Sequence, residues 1–423
     1  MDGAHRRPGG GLVSDMQTVE EHLAEILAAV RVLESERMPV AAARGRTLRE
    51  PLRARVDIPV FDNSAMDGFA VRLADVAAAG ADTPVRLRVV ADLPAGSPLD
   101  PPLGPGEAIR IMTGSAVPTA ADAIVPFEDT AGGLDDSLGE ITVLRAPMRA
   151  GMHIRRRGED LVAGDELMSA GIELGPFQLS AAAAAGIPDL LVSRRPRVAV
   201  VSTGTELVPP GRPLERGQIP ESNSELLAGL AAGAGAEVVR RTSVSDDEGG
   251  LAALMSELAG GVDAVVFSGG VSAGAYEVVK NTLEGTMRFS KVAMQPGKPQ
   301  GFGVAADGAL LFGLPGNPVS AAVSFEVFAR PALLAMQGRT QLARPVLRLA
   351  AASVWRTPPA RRQYLPATLD RTDRARWTVR PATSGGSGSH LAGGLALAEA
   401  YAVVSAEVDA VEPGDLVDVM LIS

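Results

Sequence analysis

Apolar positions along the chain change period several times, and each change marks a new unit. Val19, Leu23, Ile26, Leu27, Val30 and Leu33 recur at helical spacing behind the capping-box pair Thr18 and Glu21. That pattern predicts an amphipathic helix over residues 18–36. From Val56 to Met148 short apolar runs broken by Gly and Pro take over, at 85–90, 108–111, 123–125 and 140–144. They predict a small β-rich unit. Residues 152–195 return to mixed character, with a short helix over 177–185 that Pro176 opens and Gly186 closes. Packing of this segment beside the first helix would make the β-rich unit an insertion.

From Arg197 onward the two periods alternate. Strands are expected at 198–201, 237–241, 264–267 and 310–312, and helices at 222–232, 248–258, 275–283 and from Pro318. Such alternation predicts a parallel α/β sheet with helices on both faces. After Gly338 come short strand-like runs, a Gly/Ser stretch at 384–389 and a last run at 416–422, which suggest a small C-terminal β-domain. The expected fold class is therefore multi-domain α/β plus β. It divides into a flexible arm (1–15), a discontinuous helical linker domain (16–55 and 152–195), an inserted β-rich domain (56–151), a parallel α/β domain (196–338) and a C-terminal β-domain (339–423).

A length of 423 residues fits this division, since domains average about 150 residues. The chain has no cysteine, which removes disulfides, thiolate metal sites and a Cys nucleophile, and fits a reducing cytoplasm. A formal charge of −10 argues against a nucleic-acid partner. An anionic substrate would need a local basic patch on that background. The first 15 residues lack an apolar core of the signal-peptide kind, and no apolar run approaches the roughly 18 residues of a membrane span. A soluble protein with no membrane partner is the expectation.

The candidate chemistry lies in loops. Asp62-Asn63-Ser64-Ala65-Met66-Asp67-Gly68 sets four polar side chains between apolar runs, with Gly68 available for an unusual backbone angle. Alone it reads equally as an Asx-rich turn. In the α/β part, ligands are expected at the carboxyl ends of the strands. Three loops lie there: Ser202-Thr203-Gly204-Thr205-Glu206, Ser268-Gly269-Gly270-Val271-Ser272, and Pro315-Gly316-Asn317-Pro318. Gly269 and Gly270 would let backbone N–H groups approach a phosphate, and Asn317 would cap the helix that Pro318 opens. The Walker and Rossmann glycine patterns are absent.

Carboxylates recur at loop positions, at Asp67, Glu206, Asp246-Asp247 and Glu277. One or two of them with substrate phosphates would hold Mg²⁺, although Asp246-Asp247 also reads as a helix cap. Arg155-Arg156-Arg157 beside Gly158-Glu159-Asp160, together with Lys291 and Lys298, supply candidate anion clamps. An arginine triplet also reads as a solvated face. With no paired histidines and no nucleophile elbow, the equipment is that of positioning an anion and a metal.

The segment 59–71, Arg110-Ile111-Met112-Thr113-Gly114, residues 155–160, 202–207, 268–274, 296–299 and 315–320 together resemble the molybdopterin molybdenumtransferases, bacterial enzymes related to the E-domain of gephyrin. The matches keep the family's order and run from the first helix to the C-terminal domain. The resemblance implies an elongated four-part homodimer working with other enzymes of the molybdenum cofactor pathway. In it a molybdopterin-binding α/β domain and the inserted domain form a cleft across the dimer. The implied reaction inserts molybdate into the dithiolene of adenylylated molybdopterin, with Mg²⁺-dependent release of AMP. Asp67, Thr113, Arg155, Asp160, Glu206, Asp246 and Lys291 match family active-site residues.

The Gly269-Gly270 and Pro315–Pro318 loops match its substrate-binding turns. Glu206, Asp246 and Glu277 are the candidate metal ligands, and Lys291, Lys298 and Arg155 the candidate holders of molybdate and phosphate. Glu277 stands where many members have Asp, and Gln295 where Lys is common. Arg361-Arg362-Gln363-Tyr364-Leu365-Pro366 departs from an Arg-x-Glu-Phe-x-Arg pattern at Gln363 and Pro366. Two alternatives stand beside this reading, a molybdopterin adenylyltransferase and a non-catalytic gephyrin-like scaffold.

Overall fold

The computed structural model describes residues 16–135, 137–245, 248–271, 278–383 and 392–422. The first helix is shorter than its apolar period. It runs Val19–Ala29 behind a capping box of Thr18 and Glu21; Val30 is extended, and residues 31–34 are neither helix nor strand. The Leu33 N–H donates to Met336 O at 2.8 Å, and Arg49 Nη1 donates to Leu33 O at 2.8 Å. Tertiary hydrogen bonds thus hold as non-helical chain what the period would continue as helix. Val19 and Ile26 enter the core of the α/β part, and His22 stands edge-on to Phe328 at 4.8 Å between ring centroids.

The segment after that helix has a different partner. Strand Ser35–Pro39 pairs antiparallel with Asp189–Ser193, and Leu48, Leu52 and Ala54 share a core with Leu174, Ala182, Leu190 and Val192. The helix Pro176–Ala184 therefore packs on the chain that follows the first helix, not on the helix itself. Between these segments, a five-stranded sheet places Gly68–Val71 between Ala123–Pro126 and Glu107–Ile111, followed by Val85–Leu93 and Glu140–Val143. Gly68 does not use a left-handed angle. It is glycine because a Cβ there would lie 2.1 Å from Val125 O on the neighbouring strand.

The α/β sheet uses strands β1 (Arg197–Thr203), β2 (Glu237–Val244), β3 (Ala264–Ser268), β4 (Met287–Lys291), β5 (Pro299–Val304) and β6 (Leu310–Leu314). Their order is β2-β1-β3-β6-β5-β4. The first four in that order are parallel, as the alternation predicts; β5 and β4 add an antiparallel edge that it did not reveal. Both faces are covered, by α1 (Asn223–Gly233), α2 (Glu248–Leu258) and α3 (Pro318–Met336) among others. Alternate residues of β1 and β3 divide between two cores: Val198, Val200, Ala264 and Val266 in one, Ala199, Val201, Val265 and Phe267 in the other. A strand covered on both faces reads as a continuous apolar run for this reason. Helix α3 is 19 residues long and apolar enough to cross a membrane by composition, but it is packed in the larger core.

The C-terminal strands close on themselves. Arg362–Asp370 pairs with both Thr378–Pro381 and Ala400–Val404, and Val346–Ala351 with Leu416–Leu421 completes a barrel. Closure leaves these strands no free edge. Among the contacts that join the barrel to the α/β part, Met294–Gln295 extends its sheet beside Arg362–Gln363, Tyr364 and Tyr401 enter the larger core, and buried Glu326 in α3 accepts from Arg344 Nε and Nη2 at 2.9 and 3.0 Å. Gln363 is fully buried, accepting from Trp355 Nε1 at 3.1 Å, so this departure from the family pattern is part of the barrel core.

Two glycine substitutions check this account. Gly68→Ala is expected to cost about 1–3 kcal/mol through overpacking. Gly229→Ala, at an exposed site in α1 with nothing within 4 Å of a new Cβ, is expected to stabilise by about 0.5–1 kcal/mol. Chemical denaturation of the two variants beside the parent reads both signs.

Candidate active-site cleft

Polar residues end the two central strands at the same level. In the β1–β3 register Ser202 faces Ser268, and in the β3–β6 register Ser268 faces Leu314. The chain after β1 returns to β2 on one side, and β3 lies on the other. The carboxyl ends of β1 and β3 thus form a topological switch point, where open α/β sheets bind ligands. A cleft of about 960 Å³ opens there. Thr203 and Glu206 line it from the first loop, Gly269 and Gly270 from the second, and Pro315, Gly316, Asn317 and Pro318 from the third. Lys298 enters from the β4–β5 connection. The three loops singled out in the sequence therefore do converge.

Their details differ from the expectation in three ways. Gly269 and Gly270 have φ of 95° and 65°, and a Cβ on Gly269 would lie 2.6 Å from Thr203 O, so close packing of loop on loop requires glycine. The Gly269 N–H is committed to Leu314 O at 3.0 Å, which removes it as a phosphate donor. Asn317 occupies the N-cap position of α3, but its side chain makes no capping bond to the helix. Ser202 lies beneath the cleft, buried, with its Oγ donating to Glu221 Oε1 at 2.8 Å. Asp246, Ser272 and Glu277 lie outside the described residues.

Lys298 is the one cation lining the cleft among the described residues. Its loop is fixed by buried Gln300, whose Nε2 donates to Gly297 O at 2.6 Å and to Ser324 Oγ at 2.7 Å. Lys291, at the exposed end of β4, does not line it. Gln295 does, and accepts from Arg361 Nη1 at 2.7 Å, which brings a guanidinium of the barrel to the cleft edge. Of the two carboxylates that line the cleft among the described residues, Glu221 uses both oxygens to hold protein groups, whereas Glu206 is exposed. One such carboxylate with substrate phosphates fits the donor set of a hard divalent ion. No cluster of three His, Asp or Glu occurs among the described residues.

The remaining candidates belong to the inserted sheet and its borders, and none lines this cleft. Asp67 is exposed and accepts the Thr113 N–H at 2.7 Å. That backbone bond, and then the Thr113 side chain, hold its carboxyl below the usual range, so it is ionised at neutral pH. The rest of the polar loop is committed to protein groups: half-buried Asp62 pairs with Arg156 and accepts the Arg157 N–H, while Asn63 and Ser64 are buried. Arg157 pairs with Asp57. Arg155, paired through its backbone with Asn63, is exposed and makes no ion pair among the described residues; Asp160 is exposed two turns of loop later.

Sequence reasoning overlooked Glu221 and Asn223, and took Ser268 only as the first residue of its loop. The signal was present in Glu221-Ser222-Asn223-Ser224, four polar residues at the start of a helix, but it reads there as ordinary helix initiation.

Three family descriptions match in order: MoeA N-terminal region (domain I and II) over residues 17–186, a probable molybdopterin binding domain over 199–335, and MoeA C-terminal region (domain IV) over 348–422. The chain is 44% identical to Molybdopterin molybdenumtransferase 2 of Mycobacterium tuberculosis, covering 84% of this chain and 88% of that protein. It is 35% identical to Molybdopterin molybdenumtransferase 1 of the same organism, covering 96% and 99%. A crystal structure of a molybdopterin biosynthesis moeA protein from Pyrococcus horikoshii superposes with a TM-score of 0.76 at 31% identity, over 96% of this chain and 99% of that one.

The arginine triplet separates experimentally. Arg156→Ala and Arg157→Ala each break an ion pair made by an exposed arginine and are expected to lower the melting temperature slightly. Arg155→Ala is expected to leave the melting temperature unchanged, and thermal denaturation of the three variants checks the difference.

Proposed function

The chain belongs to the molybdopterin molybdenumtransferase family, transferases of molybdenum cofactor biosynthesis, and on that premise we propose that it inserts molybdate into adenylylated molybdopterin with release of AMP. The observation that carries this reading is the convergence of Glu206, Gly270, Lys298 and Asn317 at one switch-point cleft, within the part matched to a probable molybdopterin binding domain. A substrate bearing a phosphoanhydride, beside an oxyanion, calls for a cation, a carboxylate and ordered loops. Lys298, with Lys291 and Arg155 from further away, holds molybdate and phosphate.

Glu206, with Asp246 or Glu277, would hold Mg²⁺, and a bound ion would supply charge neutralisation at the anhydride oxygens. In the step itself the P–O bond to AMP breaks, AMP leaves with the bridging oxygen, and a water oxygen takes its place on phosphorus. The chain's own part is positioning: Gly269 and Gly270 bring the second loop against Thr203, and the Gln300 bonds keep Lys298 facing the cleft.

The reading includes a homodimer in the cytoplasm. Its support is the separation of the two candidate groups: Asp67, Thr113, Arg155 and Asp160 do not line the cleft of their own chain. In a dimer the inserted sheet of one protomer faces the cleft of its partner and supplies the Asp67 carboxylate.

AMP release from adenylylated molybdopterin, on addition of molybdate and Mg²⁺, tests the proposal. The expected outcome is molybdate-dependent AMP. Absence of AMP would leave the scaffold, and adenylate formation from ATP and molybdopterin would assign the earlier step. Asp67→Asn keeps an acceptor for the Thr113 N–H, so it is expected to melt like the parent while AMP release falls roughly a hundredfold. Parent-like turnover of that variant removes Asp67 from the mechanism.

A further inference from the structure

The start of α1 touches all three strand ends. Glu221 Oε1 accepts from Ser202 Oγ, at the end of β1, and from the Ser224 N–H, both at 2.8 Å. Two residues on, Asn223 Nδ2 donates to Ser268 Oγ, at the end of β3, at 2.7 Å, and to Gly316 O, beyond β6, at 2.6 Å. A carbonyl can only accept, so the Gly316 contact fixes which amide atom is nitrogen. Asn223 is 9% exposed and its Oδ1 is buried without a partner. An apolar side chain of this size would leave no such orphan, so the two Nδ2 bonds are what the position requires asparagine for.

From this geometry we infer that Asn223 is a positioning residue for the reaction: its amide sets the spacing between the Gly269-Gly270 loop and the Pro315–Pro318 loop, and through them the fit of the anionic substrate. Without it, Gly316 and Ser268 lose their shared donor, and the third loop is no longer tied to the other two by a side chain at this point. The inference rests on the proposed reading of the cleft as the site for adenylylated molybdopterin.

The test uses the full-length protein and three variants. Asn223→Leu keeps the size and removes both bonds, Asn223→Asp sets an acceptor against the Gly316 carbonyl, and Ser268→Ala removes one arm only. KM for adenylylated molybdopterin is expected to rise at least tenfold in both Asn223 variants and less in Ser268→Ala. The double variant Asn223→Leu with Ser268→Ala is expected to match Asn223→Leu alone, because the two residues share one bond. Amide hydrogen exchange at Gly269 and Gly316 is expected to speed up at least tenfold in Asn223→Leu with no ligand present, and Ser268→Ala reads the same effect should Asn223→Leu fold poorly. Unchanged KM together with unchanged loop exchange, or a fall in melting temperature with KM intact, overturns the inference. If the parent protein releases no AMP, the substrate reading fails, while the exchange data still decide whether Asn223 sets the loop spacing.

Discussion

Ser202, Ser268 and Leu314 are neighbours across three adjacent parallel strands, and the cleft depends on that register. The register itself is held by burial. With Val198, Val200 and Val266 in one core and Ala199, Val201 and Phe267 in the other, a slip of one residue would exchange the two sets between differently shaped layers. Three loops then leave the sheet at one height, close enough for a single asparagine amide to reach two of them. Glycine at 269 and 270 follows from that closeness, not from a demand for free backbone donors.

The other parts are tied to this sheet by specific contacts. The first helix lies on α3 and the chain after it crosses to a second core, so residues 16–55 serve two packing units rather than one. The barrel is joined through Met294–Gln295 and through Glu326 with Arg344. The first of these contacts reaches the cleft edge, where Gln295 holds Arg361. The positive charge that the cleft's own loops supply sparingly is thus supplemented from the neighbouring domain, within a chain whose formal charge is −10.

Such a site has little covalent chemistry of its own to offer. Among the described residues its resources are one lining cation, an exposed carboxylate, hydroxyls and helix starts, held by bonds from Glu221 and Asn223 in the cleft wall and from buried Gln300. Charge neutralisation and orientation are what such groups do for phosphoryl and oxyanion substrates. Removal of these holding residues would therefore be felt at the substrate, although none of them need touch a reacting atom.

The sequence by itself determined the alternation of strand and helix after Arg197, the three loops at strand ends and the order of the family motifs, because apolar period and turn residues are local properties. Even there, the end of the first helix was misjudged: Leu33 continues the period, but its N–H is taken by Met336, more than 300 residues away. Only the tertiary structure decided the antiparallel edge of the sheet, the pairing of Asp62 with Arg156 and the burial of Asn63 and Ser64. It also decided the commitment of the Gly269 N–H and the part played by Glu221 and Asn223. Each of these turns on which distant group meets a given donor or acceptor, and a polar side chain carries the same letter whether it faces a ligand, a carbonyl or solvent.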